Sequence, residues 1–271
     1  MSKTILITGA TDGIGLETAK MLAALGHTVL LHGRSRSKLE QTAKAVSAVP
    51  GAGSVENCVA DLSRMAEVER LAKEVAAKHD HLDVLINNAG VYSASETVTP
   101  DGLDVRFAVN TLAPYLLTQR LLPLLGQGAR VINLSSAAQA SIDLDALNGR
   151  VELPDAAAYA QSKLAITMWS RALAHALGKN GPVVVAVNPA SMLGSKMVKD
   201  AFGVAGGDLR IGAEILTRAA LDDDFADASG QYFDNDAGRF AAPHPDALDE
   251  RKCDDVVRAH DALLAKLQIG T

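Results

Sequence analysis

The chain has 271 residues, 48% of them hydrophobic and 21% charged, with a formal net charge of -6. That mixture excludes a disordered polyampholyte, and the scatter of Lys and Arg among Asp and Glu leaves no basic face for nucleic acid or an anionic membrane. What remains is a small-molecule enzyme or a globular binding module, in one domain long enough to bury a large core.

The N-terminus passes from Met1, Ser2 and Lys3 into a short apolar run, Ile5-Leu6-Ile7, too brief for a signal segment or a spanning helix. Residues 4–8 read as a buried strand. They lead into Gly9-Ala10-Thr11-Asp12-Gly13-Ile14-Gly15, which opens a helical pattern through Leu16, Ala19, Leu22 and Ala23. Glycines let a backbone approach a pyrophosphate, and a helix N-terminus offers unpaired N–H groups; the bland alternative is a plain turn. After a second strand over residues 27–32 comes Gly33-Arg34-Ser35-Arg36-Ser37-Lys38. An acidic residue here would favour NAD, whereas Arg34 suits the 2'-phosphate of NADP, unless the cluster is only a solvated helix start.

A helix over residues 38–46 and a strand over 55–59 follow, ending at Asp61 and Leu62, where Asp61 either meets an adenine or, with Ser63, caps the next helix. That helix, residues 64–78, leads to a strand at 84–86 and the loop Asn87-Asn88-Ala89-Gly90. Residues 103–125 read as one long helix whose second half is apolar nearly all round, which suggests burial on several sides, against a second subunit among others. A strand over 130–134 delivers Ser135 and Ser136, and an irregular stretch over 142–157 precedes a helix that carries Tyr159 and runs to residue 177.

Tyr159 and Lys163 lie four apart, on one helix face. At about 5 Å and an effective dielectric of about 20 such a pair interacts by about 3 kcal/mol, enough to draw a phenol toward neutral pH and make it a general acid. A sixth strand over 183–187 ends at Asn188-Pro189-Ala190-Ser191. Helices over 208–221 and 245–267 flank a short strand at 231–233. Alternating strands and helices require parallel pairing through right-handed crossovers, hence an α/β class, a single-domain Rossmann-type doubly wound sheet in three layers.

Taken together, Gly9, Gly13, Ile14 and Gly15, then Asn87-Asn88-Ala89-Gly90, Asn110, Ser136, and Tyr159 with Lys163 resemble the ordered motifs of the short-chain dehydrogenase/reductase family over nearly the whole chain. The long spacing from Ser136 to Tyr159 resembles the retinol-dehydrogenase-like and carbonyl-reductase-like branches. The resemblance implies an NADP(H)-dependent oxidoreductase acting on a small-molecule carbonyl or alcohol. Tyr159 would be its acid and base, Ser136 a hydrogen-bond donor to the reacting oxygen, Lys163 the holder of the nicotinamide ribose, and Asn110 the holder of a relay water. Gly9, Thr11, Asp12, Gly13, Ile14, Gly15, Arg34, Asp61, Leu62, Asn88, Ala89, Gly90 and Pro189 would bind the cofactor. Two residues depart from the pattern: Ala190 stands where the family has glycine, and Ser195 near the place of a threonine.

Residues 190–207 combine Met192, Leu193, Met197, Val198 and Phe202 with four glycines, as a substrate lid would, or as an ordinary core helix would. The histidines show no metal-ligand spacing, and Asp234-Asn235-Asp236-Ala237-Gly238 reads as a polar turn rather than a calcium loop. Cys58 and Cys253 stand apart, as in a reducing compartment. Lacking the N-terminal helix of membrane-anchored relatives, the chain is expected in the cytoplasm, as a homodimer or homotetramer paired through the 103–125 helix and Trp169. The alternative to an enzyme is an NADP(H)-binding redox sensor without turnover, which would not need Ser136, Tyr159 and Lys163; a third reading is epimerisation or dehydration with the same Tyr and Lys.

Overall fold

The computed structural model describes residues 1–269. Its strands are β1 (Thr4–Ile7), β2 (Thr28–Gly33), β3 (Val55–Val59), β4 (Val84–Asn87), β5 (Arg130–Leu134), β6 (Val183–Asn188), β7 (Tyr232–Asp234) and β8 (Arg239–Ala241). They form one sheet in the order β3-β2-β1-β4-β5-β6-β7-β8. Pairing is parallel except for β8, which runs antiparallel to β7. The chain moves outward from β1 to β3 and then returns to β4 on the other side of β1. The direction of winding therefore reverses between β1 and β4, and a crevice opens there at the carboxyl ends of the strands.

Side chains alternate across the sheet and feed two cores. Ile5, Ile7, Val29 and Leu31 face one layer with α1 (Gly13–Ala24), α2 (Arg36–Ser47) and α9 (Leu209–Leu221). Leu6, Leu30 and Leu85 face the other, with α3 (Met65–Lys78), α5 (Ala113–Leu121), α7 (Asp155–Leu177) and α10 (Glu250–Lys266). The three-layer, doubly wound architecture expected from the sequence is the one observed. No helix among the described residues is long and apolar enough to cross a membrane.

Four elements differ from expectation. The single helix expected over 103–125 is a short α4 (Val105–Phe107), a π-helical turn (Ala108–Leu112), α5, and a 3-10 turn (Leu122–Leu124). Pro114 has no N–H to give to the Asn110 carbonyl four residues back, and Ala113 bonds to Ala108 five residues back, so the α ladder breaks at Asn110. The stretch between Ser136 and Tyr159 carries α6 (Leu144–Leu147), and α7 starts four residues ahead of Tyr159. The 190–207 segment contains α8 (Lys196–Phe202). Residues 239–241 close the sheet edge as β8, because the turn at 234–238 folds the chain back on β7.

The surface expected to pair subunits is occupied within the chain. Trp169 is fully buried, and its Nε1–H donates to Thr111 Oγ1 at 3.1 Å. Thr111 in turn meets His260 Nε2 on α10 at 3.1 Å, and Tyr115 donates to Asp261 at 2.7 Å. Burial lowers the His260 pKa to about 4, so the ring is neutral. Its Nδ1 faces the Val256 carbonyl at 2.8 Å, which can only accept, so the proton sits on Nδ1 and Nε2 accepts from Thr111. α10 thus covers the Trp169 face and Tyr115 on α5, and pairing through that face would require displacing it.

Candidate active site

The loop from β1 to α1 needs its glycines. Gly9 and Gly13 have φ 66 and 56. A Cβ at Gly9 would lie 2.9 Å from the Ala89 Cα, and one at Gly15 would lie 2.4 Å from both Asn88 Nδ2 and the Gly9 oxygen. The loop is held from two sides. Asn88 Nδ2 donates to the Thr8 and Gly9 carbonyls at 2.8 and 3.1 Å, and the Ala89 N–H donates to Thr8 Oγ1 at 3.1 Å. On the far side the Gly9 N–H donates to His32 Nδ1 at 3.2 Å, while His32 Nε2 faces the Ala60 carbonyl at 3.0 Å. Burial lowers the His32 pKa to about 4, so a neutral ring with its proton on Nε2 ties the ends of β1, β2 and β3 together. His32 was seen in the sequence only as a histidine without ligand spacing; its place at a strand end was the available signal.

Asp12 caps α1 by accepting from the Gly13 N–H at 2.7 Å. The Thr11 methyl would lie 2.6 Å from a Cβ at Gly33, so Thr11 lies across the end of β2. Ile14 reaches α9, 3.1 Å from where a Cβ at Gly212 would be. Arg34 is exposed and has no ion-pair partner among the described residues, and Arg36 and Lys38 beside it are exposed too. Ser35 accepts from the Lys38 N–H at 3.4 Å and so caps α2. One Asp61 oxygen accepts from the Ser63 N–H and hydroxyl at 3.0 and 2.8 Å, a local turn ahead of α3, whose N-cap Arg64 receives no side-chain cap from either residue; Leu62 is buried. Thus the glycine loop, Arg34 and the Asn88-Ala89-Gly90 loop line one crevice that fits a dinucleotide, with the bare backbone and the α1 N-terminus suited to its phosphates.

β5 delivers both serines, and the structure separates their roles. Ser135 is buried and points into α7, donating to the Lys163 carbonyl at 3.0 Å and meeting Thr167 Oγ1 at 2.7 Å. Ser136 is partly exposed and lies beside the Tyr159 phenol, whose pKa it pulls down. Tyr232 and Gln139 hold the Ser136 carbonyl at 3.0 and 2.9 Å, two partners the sequence did not reveal. Asn110 binds the Val91 backbone at both ends, accepting from its N–H at 2.7 Å and donating to its carbonyl at 2.9 Å; it also donates to Ser162 Oγ at 2.9 Å. A Cβ at Gly90 would lie 3.5 Å from Lys163 Nζ and 3.6 Å from Asn110 Oδ1, so the three meet at one point.

Lys163 is buried, and its Nζ donates to the Leu134 carbonyl at 2.7 Å. Desolvation lowers its pKa to about 8. The expected acidification of Tyr159 by this lysine is not what the geometry gives. Burial pushes the phenol up, the Ser136 hydrogen bond pulls it back, and the neighbouring Tyr92 pushes it up again. The ammonium lies 5.7 Å from the Tyr159 ring centroid and directs one of its three N–H donors to the Leu134 carbonyl. Two further supports went unread in the sequence. Arg106, fully buried on α4, pairs with Asp104 and with Asp155 at 2.6 Å each, fixing the first turn of α7. Tyr92 packs on Tyr159 and on Phe202 with ring centroids 5.0 and 5.2 Å apart. Pro189 lies just past β6, its carbonyl accepting from Asn235 Nδ2 at 3.0 Å.

The serines give a direct contrast. Ser135→Ala is expected to cost about 1 to 2 kcal/mol of stability, read from urea midpoints, with turnover within about threefold of wild type. Ser136→Ala is expected to leave the midpoint nearly unchanged and lower turnover by about tenfold or more. The reverse pattern would exchange their roles.

A family model for short chain dehydrogenases matches residues 3–203. Retinol dehydrogenase 13 of Homo sapiens is 34% identical over 267 residues, which are 92% of this chain and 80% of that protein. Among solved structures, an uncharacterised protein of Mycobacterium paratuberculosis superposes with a TM-score of 0.80 at 29% identity, covering 96% of this chain and 92% of that one. The NADP complex of RhlG from Pseudomonas aeruginosa superposes with a TM-score of 0.71 at 28% identity, covering 87% and 95%.

Proposed function

The chain belongs to the short chain dehydrogenase family of NAD(P)-dependent oxidoreductases, and from that premise we propose that it interconverts a carbonyl and an alcohol with NADP(H), using Tyr159 as general acid and base. The observation that carries this reading is the convergence of Ser136, which pulls the phenol pKa down, and the buried Lys163 ammonium, 5.7 Å from the ring centroid, on Tyr159. The dinucleotide, when bound, supplies or accepts the hydride. In the reducing direction, negative charge grows on the substrate oxygen. Tyr159 gives its proton to that oxygen, and Ser136 donates a hydrogen bond to it, so both groups act where the charge appears. The tyrosinate left behind faces the Lys163 ammonium, which favours it electrostatically at the moment it forms. Asn110 keeps the Val91 backbone and Ser162 in place behind the pair, and in this reading it also holds a relay water.

Support for NADP over NAD is the exposed Arg34, with Arg36 and Lys38, at the end of β2, and the NADP held by the RhlG structure. For the substrate we propose an apolar alcohol or aldehyde, covered by the 190–207 segment acting as a lid. Phe202 and Tyr92 form an aromatic wall running from the lid helix to Tyr159, and a similar protein is named for retinol, an apolar alcohol.

Tyr159→Phe removes the acid and little volume, so turnover is expected to fall by about 100-fold or more while NADPH binding persists. Turnover within threefold of wild type would remove Tyr159 from the reaction. For Arg34→Ala the loss of a charge-assisted contact of about 1.5 to 3 kcal/mol is expected to weaken NADPH roughly 10- to 100-fold and leave NADH nearly unchanged. Equal losses for both cofactors, measured by fluorescence titration, would rule the clamp out.

A further inference from the structure

Past the end of β6 the backbone enters conformations that a side chain resists. Ala190 has φ 116 and Met192 has φ 54. Glycine adopts such angles freely, whereas alanine is strained there, and strain of this kind persists only where the surroundings hold it. The turn between β7 and β8 supplies that hold. The Asp236 carboxylate accepts from the Ser191 N–H at 2.8 Å, the Ser191 hydroxyl at 2.5 Å and Asn188 Nδ2 at 2.9 Å. Asn188 Nδ2 also donates to Asp234 at 2.9 Å, and Asn235 donates through its side chain to the Pro189 carbonyl at 3.0 Å and through its N–H to the Asn188 carbonyl at 3.1 Å. Three successive residues of the turn thus grip residues 188–191, more than a β-hairpin turn requires for itself.

Beyond this grip the 190–207 segment is held at few points, with Leu193 buried beside Gly212 of α9 and Met197 near Gly90, while most of its side chains are exposed or half-buried. Its base closes on itself, with Gly194 N–H to the Gly207 carbonyl at 2.7 Å and Gly207 N–H to the Met192 carbonyl at 2.8 Å. α8 has no buried residue. Phe202, 48% exposed, rests on Tyr92, and Tyr92 rests on Tyr159.

We propose that Asp236 is a positioning residue whose carboxylate holds residues 188–191 as a strained hinge, and that the strain at Ala190 poises the 190–207 segment to swing off Tyr92 when the hold loosens. Two opposed terms set the balance: the hydrogen bonds of the 234–236 turn favour the closed form, and the alanine backbone favours release. The consequence for substrate entry rests on the oxidoreductase reading above; the hinge itself does not. An Asp236 that merely stabilised the hairpin would destabilise the chain when removed, with no link to the backbone at residue 190.

Hydrogen exchange on the cofactor-free chain tests this without turnover. Asp236→Asn keeps the shape but turns an amide donor toward donors, so peptides spanning residues 190–202 are expected to exchange about tenfold faster while those of β1 and α1 are unchanged. Ala190→Gly removes the strain and is expected to slow the same peptides about fivefold. The double variant is expected to return to within about threefold of wild type. Exchange within twofold of wild type in Asp236→Asn would overturn the proposal, and so would a double variant that keeps the full effect of Asp236→Asn. Should Asp236→Asn fail to fold, Ser191→Ala, which deletes one of the three donor groups, is expected to speed exchange about threefold, again reversed by Ala190→Gly.

Discussion

A buried ammonium with no carboxylate partner among the described residues is the constraint around which the site is arranged. Lys163 Nζ has given up water for one hydrogen bond to the Leu134 carbonyl, and taking an ion out of water costs several kcal/mol unless other groups compensate. The protein answers by lowering the lysine pKa to about 8 and by fixing everything the ammonium touches. Ser135 and Thr167 lock the Lys163 carbonyl to the end of β5. Gly90 leaves no side chain in the space beside Nζ, and Asn110 holds the loop that carries Gly90. The end of β5, the loop after β4, the π-helical turn and α7 are therefore fastened to one another around a single charge.

That fastening changes how the phenol is tuned. A spacing of four on a helix suggests that the lysine acidifies the tyrosine, yet in this geometry burial raises the phenol and the ammonium is committed to a backbone carbonyl. A neutral, desolvated phenol is a good resting state for an acid: it holds its proton until charge develops on the substrate oxygen, and the ammonium then favours the anion left behind. Ser136 is placed for this by β5 just ahead of it and by Gln139 and the distant Tyr232 on β7, which hold its carbonyl.

Much of this was legible in the sequence because it is local. Short continuous apolar runs such as Ile5-Leu6-Ile7 announced the strands, the glycines of 9–15 announced a loop of close backbone approach, and Tyr159, Lys163 and Ser136 stood in a recognisable order. What escaped was the choice of partner. The apolar faces of residues 112–125 and Trp169 announced burial but not what buries them, and α10, about ninety residues beyond Trp169, proved to be the cover. Arg106 stands out in no local pattern, yet it is buried and paired with Asp104 and Asp155. The π-helical turn has no apolar period of its own and is signalled only by Pro114. The polar composition of the 234–238 turn is plain in the sequence, but its grip on residues 188–191 depends on β6 and β7 being neighbours, which no local pattern states.

The central claim is that Lys163 is an ammonium desolvated enough to titrate near the working pH beside an undissociated phenol. The most direct measurement is the pH dependence of its side-chain 15N resonance, assigned by comparison with Lys163→Met. A midpoint near 8, well below the ordinary lysine value of 10.5, is the expected result. A midpoint at 10.5 or above would contradict it, for it would mean that the ammonium is solvated or paired and that the site is not built around its burial.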